Sequence, residues 1–338
     1  MAAPARLPGL DALRGIAAAC VLGLHLPAIY PGLPTLFGRA YLAVDFFFML
    51  SGFLMTRTYG TRLAGGFGGW RFLALRYRRL WPVMAVGGLI GAPYLWTSTQ
   101  EPVLFAALFL ANLLLIPVSF QRELFPLNVP AWSVFFELLA NLIHGLLLWR
   151  LRGRGLVAVV TVSLLATALV ARHFGTLDLG ARPETLAGGL ARALLSYSIG
   201  MLLWQRWGDR PPLRVRPLLA ALGLPLLIVL PWALGISHWA YDLGFVLLAC
   251  PLLLAGGLTL ERPSPLVVWL GHASFPLYAV HFAVLRQASL IGLGPGAALA
   301  AALAVTALVT LWTTRRAPRL TADKTMPLAY GETANGGN

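Results

Sequence analysis

The sequence predicts an all-α, polytopic transmembrane helix bundle, about ten crossings (eleven if every apolar run spans), with both termini cytoplasmic. Three observations predict it. First, 58% of the 338 residues are hydrophobic and 11% charged, with a mean hydropathy of +0.76, more apolar surface than one soluble core buries. Second, apolar runs of the roughly 20 residues that a spanning helix needs recur along the chain. Third, the formal charge of +14 is carried by arginines clustered between those runs, as in cytoplasmic loops facing an anionic leaflet. That placement argues against nucleic acid as a partner and makes the lipid bilayer the expected one.

The first run, 10–30, follows Arg6 as a signal peptide would. Asp11, Arg14 and His25 interrupt it and no small-x-small cleavage site closes it, so it is read as a helix. The run at 39–58 leads into a connection carrying Arg57, Arg62, Arg71, Arg76, Arg78 and Arg79, which places that connection inside. Runs at 80–97, 103–120 and 131–150 then lead to Arg150, Arg152 and Arg154, also inside. Two inside connections require an even number of crossings between them, so one of the three runs does not cross. The choice lies between 80–97, broken by Pro82 and Pro93, and 103–120, closed by Pro117. Later runs at 155–172, 187–206, 217–235, 240–260, 266–287 and 294–314 alternate without conflict. Connections 173–186, 236–239 and 288–293 lie outside, while 207–216 and Glu261 to Pro265 lie inside. Residues 1–317 form the membrane domain, and 318–338 read as a disordered cytoplasmic tail.

Cys20 and Cys250 sit inside apolar runs and read as small packed hydrophobes. No residue spacing suits a metal, and none is expected. The two halves show no repeat, which disfavours a repeat-built transporter.

An ionisable residue at membrane depth costs at least ~2.5 kcal/mol, so each one marks a functional hypothesis. On the first helix the eleven-residue step from Arg14 to His25 turns about 1100°, within ~20° of whole turns, and rises about 16 Å. Asp11, Arg14 and His25 therefore share one sector, Arg14 near the cytoplasmic end and His25 in the outer half. Asp45, Glu137 and His281 each lie about six residues from an outer helix end, and with His25 they form one layer ~9 Å below the rim. Arg14, Arg76 and Arg79 form a second layer on the cytoplasmic side. Arginines inside and proton-transfer groups above suit a donor whose phosphates enter from the cytoplasm, in outline an acyl-CoA. Phe46, Phe47, Phe48 and Phe53 read as packing, and Ser51-Gly52 as a close helix approach. His144, His173, His238 and His272 read as structural or solvated.

The stretches Leu10-Asp11-Ala12-Leu13-Arg14-Gly15 followed by His25, Asp45 to Phe53, Arg76-Tyr77-Arg78-Arg79-Leu80-Trp81-Pro82, Trp132-Ser133 followed by Glu137, and Ser274-Phe275-Pro276-Leu277-Tyr278 followed by His281 resemble, in order over roughly 7–315, the membrane-bound acyltransferase 3 family. The resemblance implies an integral membrane O-acyltransferase moving an acyl group, often acetyl, from cytoplasmic acyl-CoA to a carbohydrate, glycolipid or related hydroxyl compound. It carries functional roles onto Arg14, His25, Arg76 and Arg79, with Asp11, Ser51, Trp132, Ser133, Ser274 and Tyr278 as supporting residues. Phe135 stands where the family often has serine and Phe275 where tyrosine is common, which removes a hydroxyl at each position. The chain lacks the extracytoplasmic hydrolase-like domain that some members append, so it acts alone or hands its product to a separate transferase.

His25 is the expected general base, an imidazole suiting the removal of a hydroxyl proton near neutral pH. Glu137 or Asp45 orients or charges it, and His281 is the next candidate. The competing reading is a proton-coupled transporter with Asp45, Glu137, His25 and His281 as its relay. The expected location is a bacterial cell membrane, the preference for arginine over lysine pointing to a GC-rich genome.

Overall fold

The computed structural model describes residues 6–260 and 263–316, and among these there are helices and no strand. The predicted tail at 318–338, Arg319 and Glu261 lie outside the described residues. Each of the eleven apolar runs falls on helix. These are α1 (Pro8–Ile29), α2 (Leu42–Ala64), α3 (Gly69–Thr99), α4 (Pro102–Leu113), α5 (Ala131–Leu146), α6 (Arg154–Phe174), α7 (Leu186–Trp207), α8 (Pro217–Leu234), α9 (Trp239–Gly244), α10 (Cys250–Leu258), α11 (Pro265–Leu290) and α12 (Pro295–Arg316). A π-turn at Phe245–Ala249 joins α9 to α10 as one span. Eight of these spans are long and apolar enough to cross a membrane. Outside that set fall α2, which carries Asp45, Arg57 and Arg62, and α5, with 16 residues.

The boundaries depart from the sequence reading around the basic connection. α2 continues to Ala64 and α3 begins at Gly69, so Arg62, Arg71, Arg76, Arg78 and Arg79 are helical and the true turn is 65–68. α3 runs 31 residues through both Pro82 and Pro93 without ending. A proline removes one amide and crowds one carbonyl, which bends a packed helix more readily than it stops one. α4 has 12 residues, about 18 Å at the helical rise, against a hydrocarbon core of about 30 Å. Of the two runs left open, 103–120 is the one too short to span.

α11 is the centre of the bundle: it packs against α1, α3 and α12, and 67% of its apolar window is buried against 22% for α6 and α8. Outward-facing leucines such as Leu169, Leu218 and Leu308 are left to the lipid. The second close seam is α2 on α7. A Cβ on Gly52 would lie 2.0 Å from the Tyr197 carbonyl oxygen, and one on Gly200 2.0 Å from that of Met49. Only glycine permits backbones that close, so the expectation for Ser51-Gly52 is met at Gly52.

Candidate active site

A cavity of about 900 Å³ opens at the arginine-rich end of the bundle, between α1, α2, α3, α5, α11 and the end of α12. Arg14, Arg76, Arg78 and Arg79 line it, as do Ser51, Ser133, Glu137, Ser274 and Tyr278. Spacing along α3 explains the basic wall, because residues three apart share a helix face. The two arginines of that pair are not equivalent. Arg76 is buried, and its Nη2 donates to Glu137 Oε1 at 2.9 Å. Ser51 Oγ donates to the same oxygen at 2.8 Å. Nε of Arg76 has no partner. Arg79, by contrast, is exposed at the cavity wall and makes no ion pair among the described residues. Arg78, also exposed on the cavity wall, likewise makes no ion pair among the described residues.

At the mouth, Asp11 Oδ2 takes Arg6 Nε at 2.5 Å, and Asp11 Oδ1 lies 3.6 Å from Arg14 Nη1. Arg6 Nη1 donates to His272 Nε2 at 3.0 Å, so His272 borders the cavity rather than standing apart from it. Ser274 Oγ donates to the Gly271 carbonyl at 2.9 Å. Of the phenylalanines read as packing, Phe46 and Phe53 are fully buried, whereas Phe47 and Phe48 line the cavity, as does Phe275. Phe135 instead stacks among Phe125 and Phe136.

The inner end of the cavity is closed by an aromatic layer. Tyr278 Oη and Ser133 Oγ are 2.7 Å apart, and the Tyr278 ring meets Phe47 edge-on at 5.6 Å. Beyond that layer, 6.1 Å from the Tyr278 ring, stands His281. His281 Nε2 is 2.9 Å from His25 Nδ1, and His281 Nδ1 is 2.9 Å from the Leu277 carbonyl oxygen. His281 is fully buried and His25 partly exposed. Phe282 sets its ring edge-on to His25 at 4.9 Å. Arg286 lies over Phe282 at 4.8 Å and over Tyr94 at 4.4 Å. Neither histidine borders the cavity.

The layer predicted for His25, Asp45, Glu137 and His281 is thus divided into three clusters. His25 and His281 meet. Glu137 lies with Arg76 and Ser51 on the cavity wall. Asp45 belongs to neither group: its Oδ2 takes Arg192 Nη2 at 2.5 Å, and its Oδ1 takes Arg192 Nε and Ser196 Oγ, each at 3.2 Å. Arg192 also donates to the carbonyls of Leu179 and Tyr41, at 3.1 and 2.9 Å, and lies over the Trp132 ring at 5.5 Å. Asp45 and Arg192 are both 0% exposed. Counting residues along one helix does not reach contacts between helices. α5 begins at Ala131, as expected, but Glu137 faces Arg76 of α3 rather than the histidines. Among the described residues no carboxylate touches His25, and the four groups of the relay reading do not form a chain.

Three features escaped the sequence reading. Arg192 sits in the middle of the run 187–206, where the cost of an intramembrane charge applies to it as to Asp45; that signal was present. Arg286, one turn beyond His281, carried the same signal. The third is Asp242, fully buried, which takes Arg39, the Tyr41 hydroxyl at 2.8 Å and the Leu177 amide at 3.0 Å. Its partners come from two distant stretches, 39–41 and Leu177, and no local pattern announces them. His144, with Nδ1 2.7 Å from the Tyr197 hydroxyl, is buried and structural, as expected. Outside the spans, burial raises the carboxyl pKa of Glu123 and of Asp178 against the pull of Arg182.

A family model of the acyltransferase 3 type, described as an acyltransferase domain, matches residues 7–315. "Protein 2 in picA locus" of Rhizobium radiobacter is 31% identical over 193 residues, covering 51% of this chain and 97% of the relative. No solved structure matches.

Proposed function

From the premise that the chain belongs to the acyltransferase 3 family, and so is a multi-pass membrane acyltransferase, we propose that it moves a short acyl group, acetyl foremost, from cytoplasmic acyl-CoA to a hydroxyl of a carbohydrate or related acceptor. The observation that carries the reading is the arginine-walled cavity of about 900 Å³ ending at Tyr278, one helical turn before His281. Its volume is that of a site for a ligand of drug size or larger. Arg79 and Arg14 pair with the donor phosphates at the mouth, where a planar guanidinium fork suits phosphate oxygens. The pantetheine arm lies along the cavity, with the thioester toward Tyr278.

His25 then takes the proton of the acceptor hydroxyl as its oxygen attacks the thioester carbonyl. The C–S bond breaks as the tetrahedral intermediate collapses, and the proton returns to the CoA thiolate. Tyr278 must swing aside for the thioester to meet His25. Glu137, bonded by Arg76 and Ser51, holds the cavity wall in place. The protein works in a bacterial inner membrane, with ten crossings formed by every described span except α4.

The direct test is purified protein in liposomes with labelled acetyl-CoA, a polysaccharide or glycolipid acceptor and no gradient. Labelled acceptor is the expected product. Solute movement that needs a proton gradient, with no transfer from any acyl-CoA, would replace the reading with transport.

Arg79→Ala is expected to raise the apparent donor Km with kcat little changed, by the roughly 1.5–3 kcal/mol of a charged hydrogen bond. Arg79→Lys should recover part of it. Arg76→Ala is expected instead to lower folded yield, because it removes a buried guanidinium and leaves the part-buried Glu137 without its cation. Donor titrations of both variants check this, and an unchanged Km in Arg79→Ala would leave that arginine as a membrane anchor only. For topology, reporters fused after Arg79 and after Arg154 are expected to read cytoplasmic alike. Opposite readings would remove the even number of crossings between them.

A further inference from the structure

The contacts of His281 fix more than its place. A carbonyl oxygen only accepts, so the 2.9 Å contact with Leu277 O means that Nδ1 of His281 carries a proton. In the neutral ring Nε2 is then bare and accepts. The atom 2.9 Å from it is Nδ1 of His25, which must be the donor. With its single proton on Nδ1, a neutral His25 has its lone pair on Nε2. The backbone of α11 thus sets the tautomer of a side chain on α1 through one intervening ring.

We propose that His281 is a positioning residue that holds His25 in the Nδ1–H tautomer, so that Nε2 of His25 is the atom that takes the acceptor proton. The proposal rests on the reading of His25 as the base and adds to it which nitrogen acts and what selects it. Burial supports the division of labour. His281 is 0% exposed, enclosed by Tyr278 and Phe282 and bonded at both nitrogens, so it has no free atom to offer a substrate. His25 is partly exposed, its ring meeting His281 at Nδ1 and also bonding the Val21 carbonyl one turn back on α1. When Nε2 takes the proton, the imidazolium keeps its Nδ1–H bond to His281 Nε2, which steadies the charge through a charge-assisted hydrogen bond. The histidine pair does what a carboxylate does in many acid–base sites, with no charge of its own buried at that depth.

The test uses side chains of different reach. A glutamine amide extends about as far as Nε2 of histidine, and an asparagine amide about as far as Nδ1. His281→Gln therefore can accept from His25 Nδ1–H, while His281→Asn can meet Leu277 O but not His25, and His281→Leu meets neither. Each is made in the full-length protein, reconstituted, and assayed for kcat and donor Km per inserted molecule beside His25→Ala. His281→Leu and His281→Asn are expected to lose roughly 10- to 100-fold in kcat, the usual cost of removing a partner that orients a histidine, with donor Km unchanged. His281→Gln should stay within a few-fold of the parent. Should His281→Leu fail to insert, the Gln and Asn pair makes the same comparison. Full activity in His281→Leu or His281→Asn would reduce His281 to packing. Equal inactivity in all three, with normal insertion and donor binding, would make His281 itself the reacting group. An active His25→Ala would instead remove the base assignment on which the proposal stands, whatever the His281 variants do.

Discussion

His25→Ala is expected to lower acyl transfer by ~10²- to 10⁴-fold, the usual contribution of a general base, while the protein inserts normally and still binds donor. The separation follows from the geometry. The proposed donor contacts, Arg14 and Arg79, lie on the cavity wall, and His25 does not border that cavity. Its ring touches His281 and Phe282, and alanine there removes a partly exposed side chain rather than a buried one. Loss of packing would instead appear as low yield with normal activity per molecule. The measurement is transfer rate per inserted molecule, with donor affinity read on the same sample. A variant keeping more than about a tenth of the rate falls well short of that loss and would take the base assignment away from His25.

The second large effect is structural. Arg192→Leu is expected to destabilise the bundle by about 3–5 kcal/mol, because it leaves the Asp45 carboxylate buried without its partner. Both groups are 0% exposed, and three of the four bonds Arg192 makes hold α2 or its N-cap residue Tyr41. Removing both charges together, in Arg192→Leu with Asp45→Leu, should recover much of the loss, since a matched apolar pair often replaces a buried ion pair at little cost. Thermal unfolding in detergent and yield in the membrane read this directly. Asp45→Asn, which keeps the shape, should retain transfer per folded molecule. Activity lost in that variant at normal stability would return Asp45 to the catalytic group.

What the sequence made legible depended on how local each signal was. Hydropathy and arginine placement are properties of single segments, and all eleven apolar runs fall on helix. Arg14, Arg76 and Arg79 were grouped correctly as one wall, since helical spacing and loop charge determine it. The pairing of His25 with His281 was read only as a shared depth, because contact between α1 and α11 has no local signature. Glu137 meets Arg76 and Asp45 meets Arg192 rather than the histidines, contacts between helices that counting along one helix does not reach. Ion-pair partners such as Arg192 are named by the fold alone, although their cost in the membrane marks them as needing a partner.

The layer of Tyr278, Ser133 and Phe47 has an electrical consequence. Where a cavity carries the aqueous phase deep into a bundle, the membrane potential no longer falls evenly across the roughly 30 Å of hydrocarbon. It falls mainly across the thin apolar partition that remains. A unit charge crossing that partition experiences almost the whole potential, worth about 2.3 kcal/mol per 100 mV. In the proposed reaction the acyl group would pass it uncharged, and the donor phosphates would stay at the cavity mouth. The proton of that reaction reaches the CoA sulfur at His25 and passes back through the layer as part of a neutral thiol, so no net charge crosses and transfer is expected to be insensitive to the membrane potential.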